Sequence, residues 1–536
     1  MRQIHFSAWF LIAASAVLQA LIFPLPGIYV LSWIALAPLI VALLRARPAG
    51  ELEVAGVVRL RPATPLQGFL LGYVCGILWY AATCYWIYDT MRHFGGLSMP
   101  AALLALFLFC CYLGLYHGLF GLLVSLLAGS ATDLRRPLAL APFLWVAVEL
   151  ARTRITGFPW NLLGIAQVDN GPLSRIAATT GVYGISFEIA LVNVALAAAF
   201  LVPREKRTAM LAAALAAAAV LQAGRLIDAP PARSDRTALL VQQNIPVSAD
   251  WTPAYFRQTL NELTDLSVKS ASPPTVNTSA SPRIHLLIWP ESPAPFFTND
   301  APFRDTISAM ARSANAWVVV GAIGTDAARP NSDAPLFNSA SLISPDGGWR
   351  ARYDKAHLVP FGEYLPFPSI FSFAGGLTKE VGQFQHGVSH RPLDAGDEKL
   401  GVFICYESIF PDEVRQFASN GAQVFVNISN DGWYGDSGAY AQHLNQTRMR
   451  AIENNRWLLS DTDTGVTASI DPWGRVVAQL PRKDRLALVA PYALISDTTF
   501  YARHGDWFAY ACAIISAGAL LSRFTLRTKP EKSQKG

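Results

Sequence analysis

Long apolar runs alternate with short polar stretches over the first 226 residues, and one further apolar run follows near the end of the chain. A membrane-spanning helix needs about 20 apolar residues. The pattern therefore predicts about eight spans, at residues 7–23, 27–44, 67–88, 100–128, 138–151, 182–202, 208–226 and 507–524. The fifth is the weakest, because it is short and contains Pro142 and Glu149. A signal peptide is the alternative for the first run, but an equally apolar run follows directly.

Basic residues are distributed unevenly between the loops that these spans define. With a cytoplasmic N-terminus, four lie in the short outer loops: Arg92, Arg152, Arg154 and Arg175. Fourteen lie on the inner side: Arg45, Arg47, Arg59, Arg61, Arg135, Arg136, Arg204, Lys206, Arg207, Arg523, Arg527, Lys529, Lys532 and Lys535. Lys and Arg accumulate in cytoplasmic loops. This bias predicts cytoplasmic termini and places the long segment 227–506 on the outer side.

Residues 227–506 have a different pattern. Runs of β-branched and apolar residues recur at 237–245, 284–289, 317–323, 400–405, 424–428 and 486–490. Helix-like stretches lie between several of them, at 254–268, 302–314 and 411–420. Buried strands separated by helices indicate an α/β layered fold. The Ser-, Pro- and Thr-rich residues 269–282 predict a flexible surface loop. The predicted domains are a transmembrane domain of about seven spans (1–226), this domain (227–506), and a final span with a basic tail (507–536).

Composition supports a membrane protein. Charged residues make up 15% of the chain, against about 25% in ordinary soluble domains, and the mean hydropathy is +0.29. Wholly soluble, disordered and fibrous proteins are therefore excluded. The net charge of +5 does not indicate nucleic-acid binding, because the basic residues separate apolar segments and form no face with interleaved aromatic residues.

Cysteine usage indicates neither a metal site nor a disulfide framework. Five of the six cysteines lie in apolar segments, where each is expected to pack as a small hydrophobic residue: Cys75, Cys84, Cys110, Cys111 and Cys512. Only Cys405 lies in the polar half. No CxxC or CxxxH spacing predicts zinc or an iron–sulfur cluster, so we expect no metal and no cofactor.

Three short patterns in residues 227–506 carry reactive groups. Glu291 follows an apolar run in LIWPES, Lys355 lies in YDKAHLVPFGEY, and Cys405 ends the run in GVFICYES. A thiol at a strand-to-helix turn is activated by the helix N-terminus. A glutamate can take its proton, and a lysine can stabilise the thiolate and an oxyanion. Taken singly, each of these residues is more often an ordinary loop or core residue.

In this order, Pro290-Glu291, Lys355 with the downstream PFGE, and Cys405-Tyr406-Glu407 resemble the Glu–Lys–Cys triad of the nitrilase superfamily, whose fold is an αββα sandwich. With seven spans before that domain and one after it, the whole chain resembles the apolipoprotein N-acyltransferase family. Further matching motifs are QQNIP at 242–246, GFPWN at 157–161 and NISNDGW at 427–433.

The resemblance implies roles for individual residues. It implies Glu291 as general base, Lys355 as electrostatic stabiliser and Cys405 as the acyl-carrying nucleophile. The other implied positions are supporting ones, at Glu363, Tyr406 and Glu407, and substrate-binding ones, at Trp251, Trp433 and Trp160. Packing is the alternative for Tyr406, a structural hydrogen bond for Glu363, and a place in the interfacial aromatic belt for Trp160.

The resemblance also implies a reaction and its place. An acyl chain passes from a membrane phospholipid, through a Cys405 thioester, to the N-terminal amine of a diacylglyceryl-cysteine on an apolipoprotein. The implied location is a bacterial inner membrane, with the sandwich domain in the periplasm. The partners are the phospholipid donor, the lipoprotein acceptor and the bilayer. The alternatives are a membrane-tethered nitrilase-like amidase, which needs far fewer spans, and a transporter, which needs polar groups paired deep within the spans.

Overall fold

The computed structural model describes residues 3–48, 60–129, 134–202, 204–272, 283–292, 294–326, 334–365 and 384–527. The chain divides into two compact units. The first, the helical unit, comprises Met1–Tyr85, Leu103–Asp228 and Asp506–Gly536. The second, the sheet unit, comprises Trp86–Ala102 and Ala229–Gly505. Residues 86–102, which the sequence analysis assigned to the transmembrane domain, thus group with the sheet unit.

The α-helices among the described residues are α1 (Phe6–Leu21), α2 (Ala37–Leu44), α3 (Pro65–Thr83), α4 (Trp86–Asp89), α5 (Met99–Ala128), α6 (Arg135–Ala151), α7 (Gly171–Ser174), α8 (Ala177–Thr180), α9 (Val182–Leu201), α10 (Arg204–Ala223), α11 (Pro253–Ala271), α12 (Ala301–Ala314), α13 (Pro411–Ser419), α14 (Ala439–Asn454), α15 (Phe500–His504) and α16 (Trp507–Arg527). Short 3₁₀ or π turns lie at Tyr29–Trp33, Thr90–Phe94, Arg152–Thr156, Leu163–Gln167, Gly224–Leu226, Cys405–Ile409 and Asp431–Tyr434.

Four helices are long and apolar enough to cross a membrane: Pro65–Thr83, Met99–Ala128, Val182–Leu201 and Glu205–Leu226. Three shorter apolar helices lie at Phe6–Leu21, Tyr29–Leu44 and Trp507–Arg523. The weak fifth predicted span is α6, which carries Arg135 and Arg136 in its first turn. The structure thus supports four of the predicted spans by length and composition, and the eight-span topology stays a prediction.

Glycines allow α3 and α5 to approach each other closely. A Cβ atom on Gly72 would lie 2.1 Å from the carbonyl oxygen of His117, and one on Gly121 would lie 2.1 Å from the carbonyl oxygen of Gly68. Small residues at such spacings bring helix backbones into contact where lipid gives no hydrophobic drive for association. The α3 helix itself begins at a capping box between Thr64 and Gln67.

The strands, in chain order, are β1 (Arg47–Pro48), β2 (Leu60–Arg61), β3 (Arg236–Gln242), β4 (Leu286–Ile288), β5 (Trp317–Thr325), β6 (Leu336–Ile343), β7 (Trp349–Asp354), β8 (Leu393–Ala395), β9 (Glu398–Ile404), β10 (Val424–Ser429), β11 (Leu458–Thr462), β12 (Ala468–Ile470), β13 (Val476–Gln479) and β14 (Leu486–Tyr492). The pair β1–β2 belongs to the helical unit. The sheet unit has two six-stranded sheets, the first in the order β14-β3-β4-β5-β6-β7 and the second in the order β13-β12-β11-β10-β9-β8. Strands β3, β4 and β5 are parallel, as are β9, β10 and β11.

The two sheets share one core and carry helices on their outer faces. Leu240 and Ile288 of the first sheet belong to one buried cluster with Val402 and Val426 of the second. Alternate residues of the first sheet, such as Leu287, pack instead with α11 and α12 in a second cluster. Helix α13 packs on the second sheet. This order of layers is an αββα sandwich, which confirms the predicted layered fold.

The predicted elements of this domain are present with small changes at their ends. Each of the six predicted strands is found, as β3, β4, β5, β9, β10 and β14. The three predicted helices correspond to α11, α12 and α13. The loop predicted to begin at residue 269 begins later, because α11 continues through Ala271, where the cap N–H of Ser272 still bonds to Val268. Residues 273–282 of that loop lie outside the described residues.

Candidate active site

The three residues of the predicted triad all lie just after strands of the two sheets. Glu291 follows β4 and Lys355 follows β7 in the first sheet, whereas Cys405 follows β9 in the second. Groups at the carboxyl ends of parallel strands normally face a ligand. The sandwich therefore brings together Glu291 and Cys405, which are 114 positions apart in the sequence and follow strands of opposite sheets.

Lys355 lies at the centre of the charged part of this site. Its Nζ donates to Oε1 of Glu363 at 2.9 Å and to Oε1 of Glu291 at 3.2 Å, and its side chain is 1% exposed. Burial alone lowers the pKa of a lysine, but the two carboxylates outweigh it and raise the pKa of Lys355. Lys355 is therefore a fixed cation between two acceptors.

Asn338 on β6 orients both carboxylates, and the sequence analysis missed it. Its Nδ2 donates to Oε1 of Glu291 and to Oε1 of Glu363, each at 2.6 Å. The other oxygen of Glu291 accepts from the backbone N–H of Asn430 at 2.8 Å. A polar side chain within an apolar strand was the available signal in the sequence, but nothing there links Asn338 to the triad.

Cys405 is held in an unusual backbone conformation. Its φ is +49°, in the left-handed region that residues other than glycine rarely adopt. Such strain concentrates at functional sites, where the surroundings enforce it. Burial, and after it the negative charge of Glu291, raises the pKa of Cys405 well above its usual range, whereas Lys355 lowers it. The resting side chain is therefore a thiol that needs a base during the reaction.

Glu407 connects the turn at Cys405 to the loop that carries Lys355. Its Oε2 accepts from the backbone N–H of Ile404 at 2.6 Å. Its Oε1 accepts from the Tyr353 hydroxyl and the backbone N–H of Ala356, both at 2.7 Å, and from the backbone N–H of His357 at 3.1 Å. Burial raises the pKa of Glu407 to about 7, against these hydrogen bonds. This side chain thereby links the two sheets beside the site.

Residues 86–102 contribute side chains next to the loop Asp431–Tyr434. The Thr90 hydroxyl donates to the carbonyl oxygen of Trp433 at 2.9 Å. The ring of Phe94 meets that of Trp433 edge-on at 5.4 Å, and the ring of Trp86 meets that of Tyr434 at 5.2 Å. These contacts explain why the segment groups with the sheet unit and not with the helices that flank it in sequence. The two ring contacts join parts of the chain that are distant in sequence.

Of these aromatic residues, Tyr434 interacts with Cys405. Burial, and then the neighbouring Cys405, raises the pKa of Tyr434 well above its usual value. The half-buried Trp433, predicted as a substrate contact, lies in the same short turn. Tyr406 packs against the rings of His357 and Phe410, with ring centroids at 5.9 and 5.2 Å.

The other two predicted substrate-binding tryptophans have different surroundings. Trp251 precedes α11 and packs on Tyr255 and Phe256 of that helix, with centroids at 5.0 and 6.5 Å. Trp160 belongs to the helical unit, where it is fully buried and stacks on Phe158 at 6.0 Å. Substrate binding by Trp251, Trp433 and Trp160 stays a prediction.

In the described part of the chain, one group of three side chains could supply metal ligands. One ligand atom from each of Cys405, Asp431 and His443 lies within 4.8 Å of the others. The ring nitrogens of His443, however, already contact Oδ1 of Asp431 at 3.1 Å and Oγ of Ser408 at 2.8 Å. Hydrogen bonds thus account for the arrangement, and we assign no metal to it.

A buried lysine, two carboxylates and a cysteine on an αββα sandwich define an enzyme of the carbon–nitrogen hydrolase class. The sequence profile of the carbon-nitrogen hydrolase family matches residues 238–491. The profile of the apolipoprotein N-acyltransferase N-terminal domain matches residues 15–195. The chain belongs to the apolipoprotein N-acyltransferase family and is an N-acyltransferase.

Relatives and solved structures are similar to this chain to different extents. An apolipoprotein N-acyltransferase from Geobacter metallireducens is 34% identical over 524 residues, covering 96% of this chain and 94% of its own. One from Methylococcus capsulatus is 32% identical over 481 residues, covering 88% and 90%. A crystal structure of a carbon-nitrogen hydrolase from Helicobacter pylori is 16% identical, with a TM-score of 0.34, and matches 55% of this chain and 94% of its own.

Proposed function

We propose that this enzyme transfers an acyl chain from a membrane phospholipid to the N-terminal amine of the diacylglyceryl-cysteine of apolipoproteins, through a thioester on Cys405. The names of the full-length relatives support an apolipoprotein acceptor. The observation that carries the proposal is the ion cluster of Glu291, Lys355 and Glu363, in which Glu291 and Lys355 interact electrostatically with a cysteine held at φ +49°.

In the first step, Sγ of Cys405 attacks the carbonyl carbon of a phospholipid ester, and Glu291 takes the thiol proton. A C–S bond forms, and the oxyanion is stabilised by the ammonium of Lys355. The oxyanion then collapses and the ester C–O bond breaks. Glu291 returns the proton to the leaving oxygen, so the products are a lysophospholipid and the acyl-enzyme.

In the second step, the neutral α-amine of the acceptor attacks the thioester carbonyl, and Glu291 takes a proton from the nitrogen. A C–N bond forms, the C–S bond breaks, and the proton returns to the sulfur of Cys405. Lys355 again faces the oxyanion, so one cation serves both tetrahedral intermediates. Because Lys355 keeps its charge between two carboxylates, it does not compete with Glu291 for the proton.

The proposed location is a bacterial inner membrane, with the sheet unit in the periplasm and both termini in the cytoplasm. Four helices of membrane-spanning length and the distribution of basic residues support this orientation. Both substrates are lipids, which fits a catalytic domain that is joined to apolar helices at both of its ends.

A membrane-tethered amidase is the second candidate, because the same side chains would serve attack on a soluble amide. The two candidates differ in the fate of the acyl-enzyme. We expect purified protein incubated with phospholipid to show, by peptide mass spectrometry, an acyl adduct on the peptide containing Cys405. Added diacylglyceryl-peptide should remove the adduct and become N-acylated. Release of free fatty acid without N-acylation would favour a hydrolase and contradict the proposal.

A further inference from the structure

Asp431 and His443 form a buried pair beside the nucleophile, and the reaction steps above use neither. Nδ1 of His443 lies 3.1 Å from Oδ1 of Asp431, and the two residues are 2% and 3% exposed. The same Oδ1 accepts from the Ser429 hydroxyl at 2.6 Å. A carboxylate that accepts from two neighbours is fixed in place, and so is the imidazole that it contacts.

The other ring nitrogen of His443 faces the nucleophile turn. Nε2 lies 3.1 Å from the carbonyl oxygen of Cys405 and 2.8 Å from Oγ of Ser408. A carbonyl oxygen can only accept a hydrogen bond, so Nε2 must be the donor in the contact with Cys405. A carboxylate also only accepts, so Nδ1 must be the donor in the contact with Asp431. Through these two contacts the imidazole connects the fixed carboxylate of Asp431 to the turn at Cys405.

The carbonyl oxygen of Cys405 is the atom through which the turn can be held. At φ +49° the residue is in a conformation that persists only when its surroundings enforce it. Holding the oxygen fixes the peptide plane after Cys405, and with it the direction of the Cα–Cβ bond that carries Sγ. Glu407 holds the preceding residue through the N–H of Ile404, so the turn is held on both sides.

We propose that His443, oriented by Asp431, is a positioning residue that fixes the turn at Cys405 so that Sγ faces Glu291 and Lys355. The inference rests on the proposed function only in taking Cys405 as the acyl-carrying nucleophile. It assigns the α14 helix a place in the reaction through a contact between residues 38 positions apart.

Two substitutions separate the two ends of the imidazole. In His443→Asn the amide reaches only the position of Nδ1, so the contact with Asp431 can persist while the contact with Cys405 is lost. In His443→Gln the amide reaches the position of Nε2 and can still donate to the carbonyl oxygen. We expect acylation of Cys405 by phospholipid to slow about 10²-fold in His443→Asn, with KM unchanged, and less than about tenfold in His443→Gln.

The control is His504→Asn on the exposed face of α15, which should acylate like the wild type. Equal losses in His443→Asn and His443→Gln would indicate packing alone and overturn the proposal, as would a normal rate in folded His443→Asn. If neither variant folds, Asp431→Asn is measured instead. It should slow acylation about tenfold with KM unchanged, because an amide orients the imidazole less firmly than a carboxylate does, and a normal rate would overturn the proposal.

The lipid-free readout distinguishes this inference from the proposed function. Alkylation of Cys405 by iodoacetamide needs no substrate, and it should be about tenfold slower in His443→Asn, because Sγ no longer faces Lys355. If the wild-type protein is never acylated, the proposed function fails, and alkylation alone decides the role of His443. Unchanged alkylation in that variant would contradict the positioning role.

Discussion

The two sheets of the sandwich contribute to the site in different ways. The first supplies charged groups, because the ammonium of Lys355 lies 2.9 Å from Glu363 and 3.2 Å from Glu291. The second supplies a cysteine whose backbone is strained, and Glu407 and His443 hold its turn by hydrogen bonds. Electrostatics therefore organises one half of the site, and backbone geometry organises the other.

The two halves of the site are therefore expected to lose activity in different ways. An ion cluster loses function when a charge is removed, even if every atom stays in place. The turn at Cys405 loses function when its backbone relaxes to another conformation, even if every reactive group is still present. The predictions that follow separate these two kinds of failure.

The largest effect is expected at Cys405, the proposed nucleophile, which follows a strand of the second sheet. Cys405→Ala should abolish acyl-enzyme formation and transfer. Cys405→Ser should fold normally but turn over very poorly, because a hydroxyl is far less acidic than a thiol. The matched control lacks the other five cysteines, Cys75, Cys84, Cys110, Cys111 and Cys512, and should stay active. Peptide mass spectrometry and a transfer assay measure both, and a folded but inactive control would show that a membrane cysteine is also required.

The next effect tests the charge of the first sheet. Lys355→Met should lower acyl transfer by about 10²–10³. Because Lys355 lowers the pKa of Cys405, its loss raises that pKa further, and alkylation at neutral pH should slow. Raising the pH should restore alkylation, since hydroxide supplies the thiolate, but not transfer, whose oxyanion still lacks its cation. The measurement is a pair of pH profiles on protein of unchanged helical content. Full rescue of transfer at high pH would limit Lys355 to ionising the thiol.

The sequence pointed to candidate site residues that lie in short local motifs, and missed those that reach the site from elsewhere in the fold. Glu291, Lys355 and Cys405 each follow a strand in a short local motif, and strands such as β10 are recognisable because every residue from Val424 to Ser429 is buried. His443 gives no local signal, because its contact with Cys405 arises only when α14 packs on the second sheet. Hydrogen bonds across such distances depend on tertiary structure, not on pattern.

The edge strand β7 and the polar residue of β6 were other features that the sequence did not reveal. Strand β7 reads WRARYD and lies at the edge of the first sheet, where one side stays polar and the apolar run is lost. Asn338 lies in β6 among Ser and apolar residues and looks like an ordinary strand position. Its role depends on two carboxylates brought in from separate loops.

A smaller effect tests whether the first sheet depends on charge alone. A Cβ atom added at Gly321 on β5 would lie 2.1 Å from the carbonyl oxygen of Pro290 and 2.8 Å from Cα of Glu291. Gly321→Ala should therefore displace the base without changing any charge, and transfer should fall by up to about 10². Gly518→Ala is the control, because nothing lies within 4 Å of that Cβ. A transfer rate like that of the control would show that the charges tolerate a moved backbone.

The smallest effect is expected at Glu413, which connects the two halves of the site but contacts none of the reacting groups. Glu413 on α13 contacts Nδ1 of His357 at 2.8 Å and lies 3.9 Å from Nε2 of His390. Burial alone raises the pKa of Glu413, but the two histidines outweigh it and lower that pKa to about 2 from 4.5. The nearby carboxylate of Glu413 raises the pKa of His390 above 6.5.

The signs of these shifts define a pH window. The stabilisation from Glu413 is fully present above about pH 4.5 and is lost as the pH falls toward 2, whereas that from His390 is present below about pH 6.5 and is lost as the pH rises through its raised pKa. Glu413→Gln should therefore destabilise most between about pH 4.5 and 6.5, by on the order of 1 kcal/mol, or about 2–4 °C in Tm. Thermal unfolding of the full chain in detergent at several pH values measures this. Because Glu413 contacts none of the reacting groups, kcat at pH 7 should stay near wild type. A large loss of kcat without a change in Tm would place Glu413 among the residues that hold the reactive groups, and the separation of the site from this link would be wrong.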